Sequence, residues 1–443
     1  MQTRRDHLHA YQFATGRLAS ALISADPGNG DTPLRKAGLG AVFGVLLAVL
    51  LVLGAAVYGF LKPAPDNHAW ATNGALIVEN GTGTRYFYAD GQLHPTANYA
   101  SALLASNGAD VRAVDRAALA DVPRGATLGI PGAPEDVPGP SALLTGSWTD
   151  CLRPGAHVGE TLDFAPGTVH ALTGSTHVLV AGPDGKRYVL AHNTKYPIDD
   201  RSAVLALGMD TDRPVLATRA WLDALPTGPA IAAARISGAG GAGRTVAGRP
   251  RKVGALLRTV VSGADHYYVL ESDGVASLTA TESALLSAAG SGEPLQVDSG
   301  VIAALPSSAD TSLLHRIPDL LAGNDATGGH SALCLRQYMK GSERHSSLVR
   351  ESGRAAATTA AVLLRPEAGV LATSPKGPHD TQSPTPYLIT DRAVKYPLSS
   401  DALGALGYSG QTPRVLPRAV LDQITTGPGL SRSKALVAVP GVN

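Results

Sequence analysis

Charge is scarce in this sequence. Only 16% of its 443 residues are Asp, Glu, Lys or Arg, and 37 basic against 36 acidic side chains leave a formal charge of +1. Such a balance builds no field to steer a polyanion, which excludes nucleic acid as a charge-held partner. Cysteine is scarcer still: two residues, Cys151 and Cys334, too few for a multiply bridged scaffold and without the neighbouring Cys or His that a zinc module needs. Catalytic signatures are missing as well. There is no GxxxxGK[ST] phosphate loop, since Gly182-Pro183-Asp184-Gly185-Lys186 fails the spacing, and no GxSxG elbow or HExxH pair among 13 histidines. Ser431-Arg432-Ser433-Lys434 matches S-x-x-K but has no S-D-N or K-T-G companion, and Ser331 beside His330 reads as part of a strand. No catalytic, cofactor-binding or metal-ligating residue is therefore assigned.

Turn formers and apolar residues are plentiful. Fifty Gly and 31 Pro point to many turns rather than a helical bundle, and 44% hydrophobic residues exclude a disordered chain. One apolar run is exceptional. Residues 37–61 carry no charge and are closed by Arg35 and Lys36 before and Lys62 after. A helix of about 20 apolar residues crosses hydrocarbon, so this segment predicts a single transmembrane helix, uncleaved because a long segment precedes it. Cations concentrate on the N-terminal side (Arg4, Arg5, Arg17, Arg35, Lys36), whereas after Lys62 none follows until Arg85. The positive-inside rule then places the N-terminus in the cytoplasm and the large C-terminal region outside. Within the arm, residues 1–36, Leu8, Tyr11, Leu18 and Leu22 recur on one side of a predicted amphipathic helix ended by Asp26-Pro27-Gly28. Such a helix suits a membrane surface or a partner subunit.

Beyond the anchor the sequence repeats itself. Lys195-Tyr196-Pro197 leads to Leu205-Ala206-Leu207-Gly208, Leu222-Asp223 and Gly228-Pro229; Lys395-Tyr396-Pro397 leads to Leu403, Leu406-Gly407, Leu421-Asp422 and Gly427-Pro428. Type, order and spacing agree, the signature of a duplicated unit. A third copy runs from Tyr86 through Pro95 to Gly125, and a degenerate one includes Tyr267-Tyr268-Val269-Leu270. Each reads locally as β-β-α-β-α, with the Tyr-Pro or His-Pro pair ending a strand and Asp199/Asp200 or Ser399/Ser400 opening a helix. The repeats are assigned to residues 75–125, 177–229, 263–310 and 384–428. The inserts 126–176, 230–262 and 311–383, with 429–443, are expected to form a discontinuous mixed β core. The fold class is thus α+β, a single anchor followed by repeats around that core. Both cysteines lie in inserts. On the outer side thiols tend to be oxidised and two allow only one intramolecular pairing, with two free thiols as the alternative.

Several of these features together resemble the EccB family of actinobacterial ESX (type VII) secretion systems. They are the arm Arg4-Arg5-Asp6-His7-Leu8-His9-Ala10-Tyr11-Gln12-Phe13, the single anchor with Lys62-Pro63, and the Tyr-Pro repeats. The run Leu128-Gly129-Ile130-Pro131-Gly132-Ala133-Pro134, Trp148 near Cys151, and Gly427-Pro428-Gly429-Leu430-Ser431 complete the likeness. It spans nearly the whole chain. It implies four repeat domains around a core closed by one disulfide, Cys151–Cys334. It also implies a cell-membrane complex with EccC, EccD and EccE type subunits, and self-association. Members of the family have been described as ATPases, so ATP as a cofactor is implied by resemblance alone. The function expected is a structural subunit that assembles a secretion channel; the alternative is a membrane-anchored extracytoplasmic enzyme, an ATPase or cell-wall hydrolase.

Overall fold

The computed structural model describes residues 4–24, 35–61, 69–153, 159–172, 174–327, 331–340, 343–358, 360–377 and 383–440. It divides into two compact units, Met1–Ala71 and Thr72–Asn443.

The first unit contains two helices. Arg4–Ser24 forms one, and Arg35–Leu61 the other. Leu, Val and Ala dominate the second helix because a polar-free stretch forms all its backbone hydrogen bonds internally. Its Gly38–Gly59 segment has a mean hydropathy of 2.7 with none of its surface buried against protein, which makes it the one described helix long and apolar enough to cross a membrane. The turn expected at Asp26-Pro27-Gly28 lies outside the described residues, as does Lys62.

The second unit holds four sheets built on one plan. The first joins Leu76–Glu79, Arg85–Ala89, Gln92–Pro95 and Val111–Val114; the second joins Val178–Ala181, Arg187–Ala191, Thr194–Pro197 and Val215–Leu216. The third uses Leu256–Val261, Ala264–Leu270, Val275–Leu278 and Leu295–Gln296, and the fourth Gly369–Thr373, Pro386–Thr390, Val394–Pro397 and Arg414–Val415. In every case the spatial order is third, second, first, fourth strand, and the fourth runs parallel to the first. A short helix links the third strand to the fourth, and after a last helix or 3₁₀ turn the chain returns alongside the third strand.

The local unit is therefore β-β-β-α-β-α, one strand richer than the sequence reading. Residues 85–95 and 187–197 read as single strands stopped by proline. They instead fold back at Asp90-Gly91 and His192-Asn193, whose positive φ angles (50° and 75°, 50° and 58°) are those of a two-residue hairpin turn. His-Asn gives a much weaker turn signal than Asn-Gly, whereas Asp90-Gly91 is a strong one that the reading of a single proline-stopped strand passed over. A second difference concerns starting points. Leu256–Val261 and Gly369–Thr373 are the first strands of the third and fourth sheets, although they precede the boundaries 263 and 384. In the fourth sheet, residues 374–385 separate two strands that pair directly, Gly369 opposite Thr390, so the hairpin is not contiguous in sequence.

The repeated Lys-Tyr-Pro and Gly-Pro marks have a common physical cause. Lys195 Nζ donates 2.6 Å to the carbonyl of Leu222, and Lys395 Nζ donates to that of Leu421. Each lysine thus satisfies a carbonyl at the C-terminal end of its unit's last helix, where cations are favoured. The next residue covers the returning chain. A Cβ on Gly228 would sit 2.4 Å from the Tyr196 ring, and one on Gly427 equally close to Tyr396. Only glycine lets the backbone pass beneath those rings.

A six-stranded sheet of a different kind lies between these repeats. Its order is Val362–Leu363, Glu160–Asp163, Trp148–Leu152, Ala332–Lys340, Glu343–Ser352 and Thr168–Ala171. Apolar clusters fix its neighbours. Leu152, Leu333, Leu335 and Leu348 pack with Val178, Leu190 and Trp221 of the second unit. Trp148, Leu162 and Phe164 pack with Val370, Ile389 and Val420 of the fourth. Within Thr72–Asn443, Leu104 of the first repeat meets Leu388 and Ala402 of the fourth, and Leu285 of the third meets Val204 of the second. The order of packing is first, fourth, central sheet, second, third.

Candidate functional sites: an exposed helix pair and a disulfide-bearing sheet

In the N-terminal helix Leu8, Tyr11, Leu18 and Leu22 are all exposed. At 3.6 residues per turn they fall within a sector of about 80°, which preserves the expected stripe. Phe13, also exposed, lies off that sector, so the apolar character is broader than the stripe alone. Both helices of the first unit therefore show large apolar side chains to their surroundings, among them Phe43, Leu51 and Tyr58 on the longer one. Exposed apolar area on this scale marks contact with lipid or protein. Arg35 and Lys36 begin the longer helix, with side chains outside the described residues.

Cys151 and Cys334 stand directly opposite one another on adjacent antiparallel strands of the central sheet. Their sulfurs are bonded at 2.05 Å and both residues are fully buried. Glu351 Oε2 lies 3.4 Å from the Cys151 sulfur and accepts a hydrogen bond of 2.6 Å from Thr149 Oγ1. Sulfurs joined to each other are not thiolates, so this trio does not supply a metal's ligand set. Ser331 sits at the edge of the same strand, where Arg350 Nη1 donates 3.1 Å to its carbonyl; His330 is outside the described residues.

Sequence reasoning missed the acids of this sheet. Asp150, Glu160, Asp163 and Glu351 are all buried. Glu160 accepts hydrogen bonds from Thr218 of the second unit and Gln423 of the fourth, tying both to the central sheet. Burial, and next the Glu160 charge, raise the Asp150 carboxyl well above its usual range. Burial likewise raises Asp163 and Glu351, against hydrogen bonds from Ala165 N–H and Thr149 that oppose it. An alternating strand pattern marks such positions only as polar, so nothing in the sequence separated them from solvent-facing ones.

A raised carboxyl has a defined signature. The stability contributed by protonated Asp150 is complete below the ordinary aspartate range and is lost as pH rises through the folded-state value. Asp150→Asn removes this dependence. Its stability relative to wild type should climb from pH 4 towards pH 8, by ~1.4 kcal/mol for each pH unit until the raised value is passed. Denaturant titrations at several pH values measure it, and a flat difference would show that Asp150 is ionised throughout.

Comparison with known proteins gives a consistent result. The family model described as "Type VII secretion system ESX-1, transport TM domain B" (EccB) matches residues 1–443. Among curated relatives, the ESX-5 secretion system ATPase EccB5 of Mycobacterium tuberculosis is 28% identical, covering 98% of this chain and 93% of its own. The ESX-3 secretion system ATPase EccB3 of Mycolicibacterium smegmatis is 29% identical, covering 99% and 91%. Among solved structures, a chain of the periplasmic assembly from the ESX-5 inner membrane complex superposes with a TM-score of 0.62 at 25% identity, over 86% of this chain and 99% of that one. A chain of the EccB3 dimer from the ESX-3 core complex gives 0.56 at 28% identity, over 82% and 100%.

Proposed function

Because the chain belongs to the EccB family of type VII secretion proteins, we propose that it is a structural subunit of an ESX-type membrane complex. It anchors the complex by one helix and holds its channel-forming partners together. The observation that carries this reading is the extent of the match: the arm, the apolar helix and the multi-sheet unit all fall within the family's span, residues 1–443. The N-terminal arm faces the cytoplasm, as the cation-rich flank of the anchor indicates, and docks through Leu8, Tyr11, Leu18 and Leu22. EccC, EccD and EccE type subunits are its partners. Copies of the chain associate with each other, consistent with the dimeric state of the EccB3 relative. The four similar sheets act as repeat domains set around the central sheet, which serves as a core closed by Cys151–Cys334.

A second reading follows from the relatives' names, which include the word ATPase. It adds nucleotide hydrolysis to the assembly role. This sequence offers no phosphate loop to carry it, and the assembly reading stands on the family match.

The test is a pull-down of the tagged full chain from membranes, with and without residues 1–30, and, separately, labelling of the untruncated chain carrying Ala14→Cys or Ser237→Cys. Loss of cytoplasmic-side subunits by at least about tenfold on truncation is expected, equivalent to ~1.4 kcal/mol of coupling. An impermeant maleimide should label position 237 and spare position 14 in intact cells. An unchanged set of captured subunits would remove the arm's role, and labelling confined to position 14 would invert the topology. ATP turnover by the purified full chain, abolished by a single substitution, would establish the second reading.

A further inference from the structure

A cleft of about 770 Å³ opens where the central sheet meets the fourth unit. Its volume falls in the range of about 300–1,000 Å³ typical of small-molecule sites, and junctions of this sort are where such sites concentrate. Leu144, Trp148, Leu371 and Val415 give it apolar walls. Two arginines from different sheets enter it: Arg336, from the central strand Ala332–Lys340, and Arg414, from the edge strand Arg414–Val415 of the fourth sheet. No Asp or Glu is among the described lining residues.

The two guanidinium groups are incompletely satisfied. Arg414 Nη2 donates to the carbonyl of Gly146, but its Nη1 is buried without a hydrogen-bond partner among the described residues. Arg336 Nε is in the same condition, although its guanidinium carbon lies 5.6 Å from the centre of the Tyr338 ring. A buried N–H left unpaired is destabilising, and more so on a charged group. Two such groups in one unneutralised cleft favour an oxyanion, whose two or three oxygens match the guanidinium fork. Trp148 supplies a flat apolar surface for whatever carries that head group. Burial draws Arg414 below its usual value, the direction expected of a cation with no counter-charge nearby.

We propose that this cleft binds a small organic anion, with its carboxylate or phosphate head between Arg336 and Arg414 and its apolar or ring body against Trp148 and the leucines. The site is independent of the assembly role, and it rests on the geometry of this chain rather than on its family. Nucleotides and lipid-derived phosphates share this chemistry.

The probe is phenyl phosphate, titrated against the full chain in nanodiscs of neutral lipid and followed by quenching of tryptophan fluorescence and by equilibrium dialysis. Saturable binding is expected, with phenol at least tenfold weaker. Arg336→Gln and Arg414→Gln should each weaken phenyl phosphate by tenfold or more. Thr412→Glu, an exposed position on the rim, brings a negative charge to the mouth without disturbing the core and should weaken it severalfold. ATP and octyl phosphate then compete as representatives of the two sources, and displacement by either supports the site and identifies the head group's origin. Absence of saturable binding to the folded wild type, or binding that none of the three substitutions changes, would overturn the proposal. Retained assembly in the pull-down alongside lost phenyl phosphate binding would separate failure of this inference from failure of the proposed function.

Discussion

Replacing Cys151 and Cys334 together by serine should lower the stability of the Thr72–Asn443 unit by about 5 kcal/mol in the chain-entropy model. The bond closes a loop of 183 residues of sequence separation, so the unfolded chain loses far more freedom than the folded sheet, where the residues already face each other. The loop holds the whole second and third units, which makes the cross-link a constraint on unfolding of most of the molecule rather than on one hairpin. Serine adds a second effect. Two hydroxyls would be buried in a pocket with Ala332, Val349 and Ala355, beside the carboxyl of Glu351. Cys151→Ala with Cys334→Ala avoids that polar burial and isolates the cross-link. Denaturant titration of wild type with and without reductant, beside the alanine pair, measures the difference. If all three midpoints agreed, the closed loop would contribute nothing to stability. A uniform fall shared by the reduced wild type and the alanine pair would assign the effect to loop closure, whereas a further fall in the serine pair would measure the cost of hydroxyls in the pocket.

Parts of this molecule are legible from its sequence. The duplicated Lys-Tyr-Pro and Gly-Pro marks stood out because three separate requirements fall at fixed spacings: a lysine for a helix end, an aromatic ring over the chain, and a glycine beneath it. The anchor was legible because a long uncharged run has few alternatives in water. The third sheet escaped full recognition because it has no such marks. Its strand Leu256–Val261 carries Arg258 and Thr259 within an apolar run, and what identifies it is pairing with Ala264–Leu270, a tertiary fact. The central sheet was legible only in part: inserts 126–176 and 311–383 supply its strands, whereas 230–262 and 429–443, expected in the same core, supply none, and Ala242–Val246 pairs with Arg249–Lys252 in a separate two-stranded sheet. The central sheet's strands come from residues 148–152, 160–163, 168–171, 332–340, 343–352 and 362–363, and no local period announces that 151 will meet 334. Least legible were the buried acids and the arginine cleft, because a charged residue in a strand is ordinarily read as facing solvent.

Trp221→Ala should cost about 3–5 kcal/mol, the loss expected when a buried tryptophan is emptied. Trp221 is 1% exposed and sits in the short helix Arg219–Asp223, opened by Thr218, whose side chain accepts a hydrogen bond of 3.1 Å from Trp221 N–H. Its ring fills the space between Val178, Val180 and Leu190 of the second sheet and Leu152, Leu333 and Leu335 of the central one. Across that boundary the indole Nε1 donates 2.9 Å to the carbonyl of Asp150. Alanine therefore empties a cavity at the seam between the two sheets and removes the indole's hydrogen bond to a backbone carbonyl of the central sheet. Trp221→Phe keeps most of the apolar area and loses the hydrogen bond, so its cost should be nearer the lower figure. The loss should also be local. Hydrogen exchange in the strands Val178–Ala181 and Arg187–Ala191 should accelerate more than in Gly369–Thr373 of the fourth sheet, which packs on the central sheet through a different cluster. Equal acceleration in both sheets would show that the molecule opens as one cooperative body and that Trp221 is not a seam residue. A stability change within about 0.5 kcal/mol, the range of ordinary surface substitutions, would show that the ring bridges no buried seam at all.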